Sequence, residues 1–311
     1  MIPPLPAWFP IHLHRLPPTL ANAPLVGAVV SIEWRASALA DSYGWTAPWP
    51  SAPGERLLAF VQHWRELSSR TPLAQAGMVR FSVEGETDFG DLAILLSLRQ
   101  AGLVWLDIFR APKNRYFDRQ QGLTEAGLQL LTEMERLGLG LDLTHLPEAA
   151  LPHVLEAWSG RRLVSHVVCA DLLEWSLFQP HNALSDSALL ACEAELYGVP
   201  FLDDLVALRK TILRAEREAH IETVAKHILH LARLVGVGKV ALGPDFFNYK
   251  QWEAERIEVD TVAGLEQPEG LAALFSALRA EEMSEEEAEG VFWRNAHRVV
   301  SSWGNSETRT K

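Results

Sequence analysis

Four residues able to bind a metal ion stand at the ends of four apolar runs in this 311-residue chain: Glu84 after FSV, His145 after LDLT, His166 after LVS and Asp245 after ALGP. Near the start, FPIHLH carries His12 and His14, an H-x-H pair whose members point the same way if the segment is a strand. Two imidazoles and a bridging carboxylate can hold two divalent ions and lower the pKa of a shared water, which makes hydroxide available near neutral pH. Such a centre hydrolyses amides or esters. Asp245, as a carboxylate at the mouth, would take the proton from that water and return it to a leaving amine. A single histidine or glutamate near a strand end is more often a structural or surface group, so the weight lies on the coincidence across four strands.

For these side chains to meet, the apolar runs must be parallel strands whose C-terminal ends share one face. The patterning predicts strands over 25–34, 78–85, 103–109, 139–145, 162–168, 199–204 and 239–246. Helical patterns at 54–69, 91–101, 124–137, 147–158, 185–196, about 206–235 and twice more at the C-terminal end separate or follow them. In 124–137, Thr124 suits an N-cap, Leu128, Leu131 and Met134 share a face, and Gly138 ends the helix. Ser284 is placed to cap another helix in EEMSEEEAE. The alternation predicts an α/β fold, a (β/α)8 TIM barrel, as one domain over 1–311 with a polar tail at 305–311, and the metal-binding residues at its strand ends make the expected barrel one of the metal-dependent hydrolase type. A closed barrel needs eight strands, and the segment 9–14 is taken as the first. His63, His153, His220, His227, His230 and His297 fall in helical patterns and read as structural, and Asp203 and Asp204 read as helix caps.

Composition narrows the function classes. With 48% apolar and 22% charged residues the chain has the balance of a globular protein with a sizeable core. A net charge of −12 without a Lys/Arg-rich block argues against nucleic acid as a partner. Prolines interrupt the N-terminal stretch where a signal peptide needs an apolar run, and no later apolar run reaches membrane-spanning length, so a cytoplasmic protein without a membrane partner is expected. Cys169 and Cys192 are too few for a disulfide framework and read as buried thiols.

The segment GLTEAGLQLLTEMERLGLGLDLTHL (122–146) resembles the membrane dipeptidase family, in which a GLT-x-x-G helix leads into a D-L-S-H strand. VEGE (83–86), LVSHVVCADL (163–172), HILHLARLVGVGKVALGPDF (227–246) and the C-terminal stretch to about 300 are similar to further family segments, in the same order. The resemblance implies a binuclear zinc peptidase that cleaves dipeptides or related small amides, in a family that often forms homodimers. It implies that Glu84 bridges two zinc ions, that His166 is a ligand, that His145 contacts metal or substrate, and that Asp245 stands near the attacking water.

The chain also departs from the family. The opening D-x-H-x-D strand is represented by IHLH alone, with His14 at the aspartate's place. The substrate-contacting histidine after the next strands falls near Arg110, and Asn114, Arg115 and Tyr116 match a branch that carries W-x-x-x-N-R-Y. The family's substrate-clamping arginine corresponds to His181, which changes charge and geometry. D-F-D-G has become Asp245, Phe246, Phe247 and Asn248. Two alternatives therefore stand beside the dipeptidase: a single-metal amidohydrolase, and a non-catalytic barrel with a binding or assembly role and no metal.

Overall fold

The computed structural model describes residues 6–11, 24–33, 53–69, 78–85, 88–173, 182–201, 220–246, 262, 264, 265 and 267–304. Seven strands form one sheet: β1 (Gly27–Glu33), β2 (Met78–Glu84), β3 (Leu103–Asp107), β4 (Gly140–Asp142), β5 (Arg162–Val164), β6 (Leu196–Val199) and β7 (Val240–Leu242). They neighbour one another in chain order and every pairing is parallel. Parallel neighbours require a crossover each time, and helices α1 (Pro53–Ser68), α2 (Ile94–Ala101), α3 (Glu125–Leu137), α4 (Leu151–Ala157), α5 (Asp186–Cys192) and α6 (Ile221–Leu231) lie between successive strands. After β7 come α7 (Pro268–Ala280), α8 (Glu285–Glu289) and α9 (Asn295–Gly304).

The eighth position of the barrel is filled by the segment around residues 8–11. Trp8 bridges to Leu25 in parallel, the Ile11 amide donates to the Leu242 carbonyl at 2.8 Å, and the Val29 amide donates to the Pro10 carbonyl at 3.0 Å. The chain there lies between β7 and β1 and bonds to both. Phe9 and Ile11 are fully buried and join Val29, Val104, Trp105, Leu163, Leu196 and Ala241 in a cluster closed by Ala296, Val299, Val300 and Trp303 of α9. Trp303 sits against Gly140, where a β-carbon would fall 2.2 Å from its ring, and its indole N–H donates to Glu195 at 3.0 Å. Both neighbours precede or open their strands, so α9 plugs the N-terminal end and leaves the C-terminal ends for chemistry.

Local chemistry explains most element ends. The Thr124 hydroxyl accepts from the Gly127 amide at 3.0 Å and Gly138 closes α3 at φ 65°. On α3, however, Leu128 is 47% exposed, while Leu130, Leu131, Met134 and Leu137 are buried. A spacing of three drifts off a helix face of period 3.6, which is why Leu128 leaves the face assigned to it. Ser284 and Glu287 exchange side-chain-to-amide bonds in a capping box. Two boundaries differ from expectation. The helix expected over 185–196 ends at Cys192, because Glu193 adopts a left-handed conformation (φ 46°), and the following strand is Leu196–Val199, ahead of 199–204. Residues 202–204, with the caps read at Asp203 and Asp204, lie outside the described residues. Cys169 and Cys192 are buried and free; burial pushes both thiols up, Cys192 to about 12, so neither is poised as a thiolate.

Candidate metal centre

Glu84 is the last residue of β2 and pairs in register with Asp107, the last of β3. His145 lies three residues past β4 and His166 two past β5. The barrel brings Glu84, His145 and His166 together: all three are buried, and one ligand atom from each lies within 4.8 Å of the others. The two Nε2 atoms stand 3.3 Å apart. Two nitrogens bound to one tetrahedral zinc at about 2.0–2.1 Å would be about 3.3–3.4 Å apart, so the imidazole pair has the edge length of a single-ion site.

What orients the rings is an outer layer of polar residues. The Asp107 carboxylate meets His145 Nδ1 in a short hydrogen bond, and its other oxygen accepts from the Phe109 amide at 2.7 Å. His166 Nδ1 pairs with the Ser165 hydroxyl at 2.9 Å, and Asn182 donates to the His166 carbonyl at 3.1 Å. Asp142 accepts from the Thr144 hydroxyl (2.6 Å) and from the amides of Thr144 and Ser165 (both 3.1 Å), which ties the ends of β4 and β5 together just before the two histidines. With Nδ1 of each ring engaged, both Nε2 atoms face the centre, as metal-binding imidazoles require. Burial opposes a charge on His145, but the Asp107 charge and hydrogen bond, with help from Glu84, outweigh it and hold its pKa above the ordinary histidine value.

Asp107 and Asp142 were missed as site residues by sequence reasoning, although each is a lone carboxylate ending an apolar run, in LVWLD and LGLD. Asp107→Asn keeps the shape but leaves an amide where a carboxylate fixed the His145 tautomer. Loss of such an outer partner costs about 10–100-fold in metal affinity. A zinc titration should show a drop of that size, and an unchanged affinity would mean that Asp107 does not orient His145.

Asp245 borders the group. Its Oδ2 lies 3.8 Å from His166 Nε2, it is 4% exposed, and its backbone is left-handed (φ 57°). That conformation is uncommon outside glycine, although aspartate adopts it more often than most residues. Arg110 also enters: Nη1 is 3.4 Å from His145 Nε2 and Nε is 3.7 Å from a Glu84 oxygen.

The other sequence-selected residues are placed differently. Asn114 braces its own loop, donating to the Ile108 carbonyl at 2.8 Å and accepting from the amides of Tyr116 and Phe117. Arg115 pairs with Asp88 at 3.0 Å, half exposed, and the buried Tyr116 hydroxyl accepts from the Phe89 amide at 3.1 Å. These contacts hold the loop rather than the Glu84 group. His12, His14 and His181 lie outside the described residues, as do Phe247 and Asn248.

Comparison with known proteins bears on the family and the fold. The family model described as membrane dipeptidase (peptidase family M19) matches residues 57–311. A dipeptidase, verJ, from Clonostachys rogersoniana is 23% identical over 216 residues, 67% of this chain and 50% of that protein. The chain thus spans about half the length of that curated relative. Among solved structures, the dipeptidase AC metallopeptidase of family M19 superposes with a TM-score of 0.68 at 19% identity, covering 96% of this chain and 99% of the other. A Rhodobacter sphaeroides metallopeptidase, liganded with a phosphinate mimic of the dipeptide L-Ala-D-Ala, gives 0.64 at 20% identity, with 93% and 90% covered. At such identities the superpositions speak for the fold, which is the TIM-barrel-like fold of these neighbours with a curled parallel sheet. With the family model matching everything from residue 57 onward, this chain belongs to the membrane dipeptidase family, peptidase family M19.

Proposed function

We propose that the protein is a metal-dependent hydrolase that cleaves the amide bond of a dipeptide or a related small amide, with zinc as its ion. The observation that carries this reading is the buried convergence of Glu84, His145 and His166, with the two Nε2 atoms 3.3 Å apart. The donor set, one carboxylate oxygen and two imidazole nitrogens, is that of known hydrolytic zinc sites. Family membership and the dipeptide mimic held by the Rhodobacter sphaeroides relative support the substrate class.

An ion held by these three residues supplies a water of lowered pKa and polarisation of the scissile carbonyl. The rest of the chemistry belongs to side chains. Asp245, on the His166 side of the centre, accepts a proton from the attacking water at its carboxylate as the carbon–oxygen bond forms. It delivers that proton to the amide nitrogen as the carbon–nitrogen bond breaks, so Asp245 ends as it began and the products are an amine and a carboxylic acid, which gives up the water's second proton to solvent or to the amine. Asp107 and Ser165 keep the imidazole rings from turning during the cycle.

The test is elemental analysis of protein purified without chelator, beside a screen of dipeptides with L and D residues at the C-terminal side. Bound zinc together with release of free amino acids is expected, and activity should vanish on chelation and return with zinc. A folded protein that takes up no zinc from excess would overturn the reading in favour of a non-catalytic barrel.

A further inference from the structure

Each imidazole of the centre follows a hydroxyl residue: Thr144 precedes His145 and Ser165 precedes His166, and both hydroxyl residues are fully buried. The Thr144 hydroxyl bonds across from the end of β4 to the end of β5. Its oxygen accepts from the Ser165 amide at 2.8 Å and lies 3.3 Å from the Ser165 hydroxyl. Its one hydrogen goes to Asp142 Oδ1, 2.6 Å away. That carboxylate oxygen also takes the amides of Thr144 and Ser165, so it acts only as an acceptor and the direction of the bond is fixed.

We propose that Thr144 is a positioning residue for His166, deciding which nitrogen of that ring carries the proton. The inference rests on reading Glu84, His145 and His166 as a metal site. A hydroxyl has a single hydrogen to donate. With the Thr144 hydrogen committed to Asp142, the Thr144 oxygen can only accept from the Ser165 hydroxyl. Ser165 then turns a lone pair toward His166 Nδ1, 2.9 Å away. The neutral ring keeps its proton on Nδ1 and a lone pair on Nε2, the atom 3.3 Å from its counterpart on His145. In the opposite order Ser165 would donate to Nδ1, which leaves a hydrogen on Nε2 and closes that nitrogen to a metal ion. His145 therefore has its carboxylate directly, in Asp107, while His166 has Asp142 at the far end of two hydroxyls. The step between the hydroxyls is the longest of the chain. The contribution of Thr144 to metal affinity is accordingly placed at the lower end of what an outer partner supplies, about tenfold.

The experiment compares the natural protein with Thr144→Val and Thr144→Ser by two readouts. One is nitrogen NMR of the histidine rings in zinc-free protein at about pH 9, above the ordinary histidine range, with His166 assigned by its loss in His166→Gln. The other is zinc affinity by competitive titration. The natural protein and Thr144→Ser are expected to carry the His166 proton on Nδ1 and to bind zinc alike. Thr144→Val leaves the Ser165 amide bonded to Asp142 at 3.1 Å, so it should fold, shift His166 toward the form protonated on Nε2, and bind zinc about tenfold more weakly. Loosened packing alone would lower stability without moving the proton. Unchanged His166 ring shifts in a folded Thr144→Val therefore overturn the role given to Thr144. A natural protein whose His166 already carries its proton on Nε2 overturns it as well, and that measurement decides if Thr144→Val does not fold. No zinc uptake by any of the three proteins would overturn the hydrolase reading, with the ring shifts still deciding the role of Thr144.

Discussion

Protein carrying Glu84→Gln is expected to come through purification folded but without its zinc, and with hydrolysis reduced to background. Glutamine keeps the volume of the side chain, so β2 and its pairing with β3 are not disturbed, but it replaces an anionic oxygen with a neutral amide in a buried site. Two imidazoles alone make a poor site for a divalent ion. The loss should therefore exceed the roughly 10–100-fold that follows removal of an outer hydrogen bond. Glu84→Ala is the less informative variant, because it also empties the buried volume that glutamine keeps filled, and a cavity is destabilising on its own account. His166→Ala should match Glu84→Gln in metal content. If either variant kept its zinc at natural affinity, the ion would have to be held elsewhere.

The second large effect is on stability, at a residue that touches no substrate. A β-carbon built on Gly243 would fall 1.9 Å from the Ser165 carbonyl oxygen, and one on Gly198 would fall 1.8 Å from the same atom. Three strand ends thus close on the residue that immediately precedes His166. A backbone carbonyl cannot move aside as a side chain can, so Gly243→Ala must displace either β7 or the Ser165–His166 turn. Overpacking of this kind costs typically about 1–3 kcal/mol, and contact with backbone rather than a flexible side chain puts this case at about 3 kcal/mol or above. Urea denaturation should show a lowered midpoint, and zinc affinity should fall with it because the turn carries a ligand. A Gly243→Ala protein of natural stability would mean that the strands are not packed this tightly around Ser165.

How much of this was readable beforehand follows from what each residue reports. Strand-and-helix alternation is written in local periodicity, and the barrel's seven central strands lay close to where that periodicity put them. The exception near 196–204 arose because a left-handed Glu193, not a glycine or proline, ends α5, and such a conformation leaves no mark in residue type. Glu84, His145, His166 and Asp245 were legible because they are polar groups terminating apolar runs, and the same signal was present at Asp107 and Asp142. Those two were overlooked because a carboxylate that accepts from a neighbouring amide or ring looks, in sequence, like any strand-ending aspartate; only the register of β2 against β3 shows that Asp107 stands beside Glu84. The position of Arg110 was legible, but its direction was not, since a side chain that long can point to solvent or to the centre from the same backbone. Among the described residues no helix is long and apolar enough to cross a membrane.

The way the barrel is closed also sets the order in which it can form. Ile11 bonds to Leu242 and Phe9 to Phe292, so the seam joins stretches of chain separated by most of its length. Contacts of such high sequence separation are slow to form, because the entropy of closing the long loop is lost before any bond is gained. On the ribosome, the 8–11 segment, β1 and the strands after it can pair as they emerge, yet the far edge of the 8–11 segment stays open until β7 and the turn before α9 have been made. Folding is therefore expected to end with a seam-closing step, and the apolar edge left waiting until then is where a newly made chain is most exposed to aggregation.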